Sequence, residues 1–319
     1  MKKAFVFFLI SFLLLSPGSL LASSWLELRS PHFIMRYQRA EKKMAAFLLS
    51  RAEETREVVL QDIGHTPPSP TLIYLAPTWG DFQQVQPGGQ PPSWSVGTAY
   101  PRPNLIILRS PRAVKGGRTE IEEVLRHEYA HLALWTALKG QEAPHWLDEG
   151  FAMIQSRQWD LSWTYILAKG VLTKSLLPLE ELEDGFPLAQ HQAQLAYAES
   201  FSFVSFIKNE FGPKALPRLI KGMAHGLDVD TALRLATGLG LRELERRWKK
   251  ELKRRYSWIP IVTSFFSLWF LASLLFLLSY WRKRRRTKRA LEEWEREEAL
   301  SEPPLPPGSP EEGNEGYPT

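Results

Sequence analysis

RHEYAH (Arg126–His131) and, after a short connection, PHWLDEGFA (Pro144–Ala152) are the stretches around which this chain of 319 residues is organised. His127 and His131 stand four apart, with Glu128 directly after the first. On a helix that spacing puts both imidazoles on one face, a turn apart, where both can reach one metal ion. Glu149, eighteen residues after His131, reads as a third ligand on a following helix. Two neutral imidazoles and a carboxylate that leave one corner open suit a catalytic zinc, Zn2+. Glu128, one step round the helix, is placed to take a proton from water. The rest of that stripe is apolar: Val124, Leu134 and Leu138 share it, and Ile121, Leu125, Leu132 and Trp135 flank it. Both histidines and Glu128 therefore turn inward, where unpartnered polar groups each cost on the order of a few kcal/mol and a metal removes that cost.

HEYAH followed by WLDEGFA resembles the gluzincin metallopeptidases, and WLxEGFA is similar to the third-ligand helix of the M1 aminopeptidases. The layout of residues 25–256 is similar to the smaller peptidase MA-like domains, although the specific motifs span only 127–152. The resemblance implies a zinc-dependent peptidase with ligands His127, His131 and Glu149 and general base Glu128. The GxMEN motif, by which M1 enzymes hold a free amino terminus, is absent, so aminopeptidase specificity is not implied. Two short strands precede the motif helix, Ser95–Tyr100 and Asn104–Arg109, and both also read as plain core sheet. By similarity to gluzincins one of them is the edge strand beside the active site, and Val96, Gly97, Thr98, Ala99 and Tyr100 are the favoured set. Such an edge can pair with an extended peptide substrate. Gluzincins also use a Tyr or His downstream of the third ligand to donate to the oxyanion. Tyr197 is the first choice here and His191 the second; Tyr197 reads equally as an interface aromatic. His145, four before Glu149, reads as a supporting or surface residue, and Asp148 as a helix-terminus acid rather than a ligand.

The chain contains no Cys, which excludes disulfides, a thiol nucleophile, thiolate-bound zinc and a lipidated N-terminal Cys. Hydrophobic content of 44% with twelve Trp indicates a substantial core. Net charge is +5, but residues 242–255 and 282–289 together carry +12 and leave −7 elsewhere. Basicity gathered round one hydrophobic segment points to a membrane, not to a nucleic-acid partner.

Residues 1–24 read as a signal peptide: Lys2 and Lys3, an apolar run from Ala4 to Leu15, then small residues. Trp25–Tyr37, broken at Ser30-Pro31, reads as a hairpin, Ala40–Ile63 as a helix, Thr71–Ala76 as a strand and 77–94 as a surface loop. Thr119 with Glu122 reads as a capping box for the HEYAH helix. Gly140 ends that helix and Pro144 opens the next. From Leu161 the pattern is helical: 161–170, a linker 178–190, then 195–211, 213–224, 229–237 capped by Asp228, and 240–256. The expected fold is α+β and zincin-like, with an N-terminal mixed β-sheet, the HExxH helix and a helical C-terminal half, the active site lying between.

Ile259–Tyr280 is 22 residues without a charge, long enough to span a bilayer. The expectation is one transmembrane helix over 257–281 at the cell membrane, the catalytic domain outside the cytoplasm, and a cytoplasmic tail, 282–319, that is basic, then acidic and Pro-rich. The leading expectation is a membrane-anchored zinc peptidase. The alternatives are a non-catalytic envelope binding or assembly module on the same fold and a zinc hydrolase of non-peptide substrates.

Overall fold

Alternation along the strands builds a sheet with two unequal faces. The computed structural model describes residues 25–256, apart from 66, 68–69, 115–117, 158 and 188, together with 265–301. Five strands, β1 (Leu26–Arg29), β2 (Phe33–Tyr37), β3 (Thr71–Ala76), β4 (Gly97–Tyr100) and β5 (Leu105–Arg109), form one sheet in the order β1-β2-β3-β5-β4. β1 and β2 make the expected antiparallel hairpin. β2, β3 and β5 run parallel, and β4 returns antiparallel to β5 at the sheet edge. In β2, Phe33, Met35 and Tyr37 are buried while Ile34 and Arg36 are only half-buried, the period of a strand with one core face. β5 is buried from Leu105 to Leu108, as a strand covered on both faces must be. On the smaller side Leu105 and Ile107 pack with Ala76 and Phe82, so Ile106 and Leu108 point into the main core.

Helix α1 (Lys42–Ile63) makes the crossover from β2 to β3 and ends at Gly64, whose φ of 63° is left-handed. A short helix, α2 (Trp79–Gln84), stands inside the stretch expected to be a loop. Thr78 caps it by accepting from the Asp81 N–H, and fully buried Phe82 anchors it, stacked at 5.5 Å on Trp79. Six residues with a glycine among them are too few to show a helical period, so the sequence alone conceals it.

The HEYAH helix is α3 (Arg118–Ala137), followed by α4 (His145–Ser156), α5 (Leu161–Thr173), α6 (Gln190–Phe211), α7 (Ala215–Ala224), α8 (Val229–Thr237) and α9 (Leu241–Tyr256). The side chain of Thr119 lies outside the described residues, so the expected capping box does too. Asp228 does cap α8, accepting from the Thr231 N–H at 3.0 Å. α4 crosses α6 closely enough that a Cβ on Gly150 would sit 2.4 Å from the Ser200 carbonyl oxygen. Beside that contact Trp146 meets Phe203 edge-on at 5.0 Å, and Phe203 meets Trp248 of α9 at 5.5 Å. Burying aromatics of this size contributes about 2–3 kcal/mol each. A mixed sheet followed by a helical half is the α+β arrangement expected.

The chain divides into two compact units, residues 1–256 and 257–319. The described part of the second is one helix, α10 (Phe265–Ser301). Among the described residues no helix is long and apolar enough to cross a membrane. That overturns the transmembrane helix expected at 257–281 and, with it, the single-pass placement at the cell membrane. Within the described residues the uncharged part of α10 covers 265–281, up to Arg282, about 25 Å of helix where a bilayer core needs about 30 Å. The expected signal peptide, 1–24, and the end of the tail, 302–319, lie outside the described residues.

Candidate metal centre

α3 is uninterrupted by Gly or Pro over its twenty residues and stops in a left-handed turn. Lys139 (φ 55°) and Gly140 (φ 80°) make it, their N–H groups donating to Thr136 and Trp135. The chain re-enters a helix at Pro144, whose carbonyl accepts from Leu147 and Asp148. The His145 N–H donates to the Glu183 carbonyl at 2.8 Å, which fixes the start of α4 to the linker before α6.

This crossing brings His127, His131 and Glu149 together, with one ligand-capable atom from each within 4.8 Å of the others. Glu149 Oε2 lies 3.5 Å from His127 Nε2 and 3.9 Å from His131 Nε2. Donors at zinc–nitrogen and zinc–oxygen distances on tetrahedral corners stand about 3.4 Å apart, so the three nearly have the spacing of a bound set. Glu149 Oε2 is buried and has no hydrogen-bond partner. A buried carboxylate oxygen left bare between two imidazole nitrogens fits a cation.

The charges agree. Burial raises the Glu149 carboxyl, but His127, His131 and His145 outweigh it and bring the pKa down to about 2. Burial lowers His131, yet Asp148, Glu149 and Glu128 lift it to about 10. Glu128 is pushed up, by burial first, against the pull of His127 and His131 and with the push of Glu149 and Asp148. Three carboxylates round two imidazoles favour positive charge here, supplied either by protons or by a metal.

Asp148 is an acid of the first turn of α4, as expected. It is not in the ligand group, but its Oδ1 accepts from His131 Nδ1 at 2.8 Å. That hydrogen bond orients the ring with Nε2 towards Glu149 Oε2, a common support for an imidazole that holds a metal. The clue in the sequence is a second carboxylate directly beside a ligand. His127 Nδ1, by contrast, is buried without a partner. His145 stays outside the ligand group, with Nε2 3.8 Å from the other Glu149 oxygen, Oε1.

Glu128 lies against the edge strand. A Cβ on Gly97 would come 2.8 Å from Glu128 Oε1 and 2.5 Å from Val124 Cγ1, so β4 approaches α3 backbone-first. Val96 continues the ladder by accepting from the Arg109 N–H. Thr98 and Tyr100 both donate to Gln86 Oε1, on the side of the strand opposite Ala99. All five of Val96–Tyr100 are partly exposed at the sheet edge.

Tyr197 falls in the third turn of α6, because that helix begins at Gln190, five residues before the expected start. Its ring meets Phe186 edge-on at 4.7 Å, and Phe186 meets His145 at 4.4 Å. Burial, then Glu149 and Glu128, push its phenol above the usual range. Phe186, the bridge between the two, carries no signal in the sequence. His191, on the first turn of the same helix, is exposed.

A family model described as the Peptidase MA superfamily matches residues 52–254, well over half of the chain. The match takes in both motifs, the edge strand and all of the helical half except the last two residues of α9. No curated protein matches the chain.

Proposed function

Because the chain belongs to the Peptidase MA superfamily, we propose that it is a zinc-dependent peptidase. The observation that carries this reading is the convergence of His127, His131 and Glu149 within 4.8 Å, with an unpartnered buried carboxylate oxygen among them and Glu128 alongside. His127 Nε2, His131 Nε2 and Glu149 Oε2 would hold the metal. When bound, zinc supplies Lewis acidity for the scissile carbonyl and for the water that attacks it.

The chain's own residues do the rest. An extended substrate adds to the free edge of β4, through the backbone of Val96–Tyr100, and lies across Glu128. Glu128 accepts the proton of the attacking water and passes it to the leaving nitrogen. Burial first, then Glu149 and Asp148, raise its pKa against the pull of His127 and His131, which makes it a stronger base. The Tyr197 hydroxyl donates to the oxyanion, and its own raised pKa keeps the proton on the phenol.

The test is Glu128→Gln in the full chain. Elemental analysis should find about one zinc per chain in both forms, while hydrolysis of a diverse peptide library falls about 10²–10⁴-fold in the variant. Normal hydrolysis by Glu128→Gln overturns the base assignment. A zinc-loaded wild type that cleaves nothing in the library turns the reading towards a binding module.

A further inference from the structure

Beyond His131 the wall of the site opens into a cavity of about 570 Å3 that His131, His145 and Asp148 also line. Apolar side chains line part of it: Leu134 of α3 and Leu138 just after it, both fully buried, Met223 of α7, and Leu227, which is exposed. Glu142, Asp148, Glu183, Asp184 and Asp228 line it too, and no Lys or Arg does. Asp148 is engaged by His131, and Asp228 caps α8. Glu142, Glu183 and Asp184 make no ion pair or hydrogen bond through their side chains among the described residues. The bond from the His145 N–H to the Glu183 carbonyl fixes the Glu183–Asp184 pair beside the start of α4. The C-terminal turn of α3 lies in the same wall, and its dipole adds negative potential.

We propose that this cavity receives a substrate side chain adjacent to the scissile bond and selects a cationic one, Arg or Lys. The aliphatic stem lies on Met223 and Leu227, and the charged head reaches Glu183 and Asp184. A long cationic side chain satisfies both halves of the pocket at once, because its stem is apolar and only its tip is charged. A neutral residue leaves the acids unpaired, and an acidic one is repelled. Burial and the neighbouring Glu180 and Asp184 already push the Glu183 carboxyl up, and a bound cation relieves that repulsion. The assignment rests on the peptidase reading above, whose site it extends.

Binding tests it separately from turnover. The probe is a blocked alanine peptide with one central arginine, paired with the same peptide carrying citrulline, which is neutral and nearly isosteric. Affinities are measured by calorimetry on the zinc-loaded Glu128→Gln chain and repeated on wild type in chelator. The arginine peptide should bind about three- to tenfold tighter, and the double variant Glu183→Gln/Asp184→Asn should bring the two peptides level. In cleavage by wild type, cut sites mapped by mass spectrometry should then concentrate next to Arg and Lys. Equal binding of the two probes, or a preference that survives the double variant, overturns the proposal. Failure of the peptidase reading looks different: no peptide is cut, while the arginine preference in binding persists.

Discussion

Two consecutive residues of α4 grip one imidazole. Asp148 Oδ1 holds His131 Nδ1 at 2.8 Å, while Glu149 Oε2 faces Nε2 of the same ring at 3.9 Å. The histidine spacing is legible in the sequence, because four residues on a helix fix a common face. The grip is not, since adjacent helical positions diverge by about 100° and only the crossing of α4 over α3 turns both towards His131. Asp148→Asn tests what its charge contributes. The amide oxygen can still accept from Nδ1–H, so the ring stays oriented while the imidazole becomes a poorer donor. Zinc affinity, measured by competition with a chromogenic chelator, should fall about 10–100-fold. Unchanged affinity would mean that Asp148 only fills space.

Between elements, the contact that matters for the chemistry is β4 on α3. Glycine at 97 lets the edge strand lie on Glu128, with no room for even a methyl group between Val124 and the carboxylate. Gly97→Ala should therefore push the strand and Glu128 apart by a fraction of an ångström. The expected result is full zinc content with kcat lowered roughly tenfold to a hundredfold, since misplacing a reacting group by about 1 Å costs of that order. Wild-type kcat in this variant would show that strand and base are not coupled. Strand and helix existence here was legible from alternation and apolar stripes. α2 was not, because one turn and a half gives no period to read and its stability comes from the Thr78 cap and the burial of Phe82.

Stability belongs to the whole molecule, and Glu199 ties it to pH. This residue of α6 is fully buried, accepts from the Leu177 N–H at 3.0 Å through Oε1, and leaves Oε2 without a partner. Burial lifts its pKa from 4.5 to about 8, against the pull of the Leu177 N–H and Lys249 and with the push of Glu245. A folded pKa above the unfolded one means that the protonated carboxyl stabilises the fold. That contribution is complete below about 4.5 and is lost as pH rises through about 8. Glu199→Gln keeps an acceptor for Leu177 and cannot ionise. Thermal melts should give it a Tm close to wild type at about pH 4.5 and a higher one above about pH 8. Parallel Tm curves over that interval would exclude Glu199 as the titrating group.

The sequence by itself determined which residues could hold a metal, and the α+β class. Residue types at positions 127, 128, 131 and 149 and the periods of the flanking segments are local facts, and local facts survive without coordinates. The tertiary structure decided everything that depends on one element meeting another. It made β4 the sheet edge, put Gly97 on Glu128, and set Asp148 on His131. It also overturned the transmembrane reading, because no helix among the described residues is long and apolar enough to cross a membrane. Hydropathy adds up along the chain whether or not one helix carries the whole run, whereas crossing a bilayer requires a single helix of the full length.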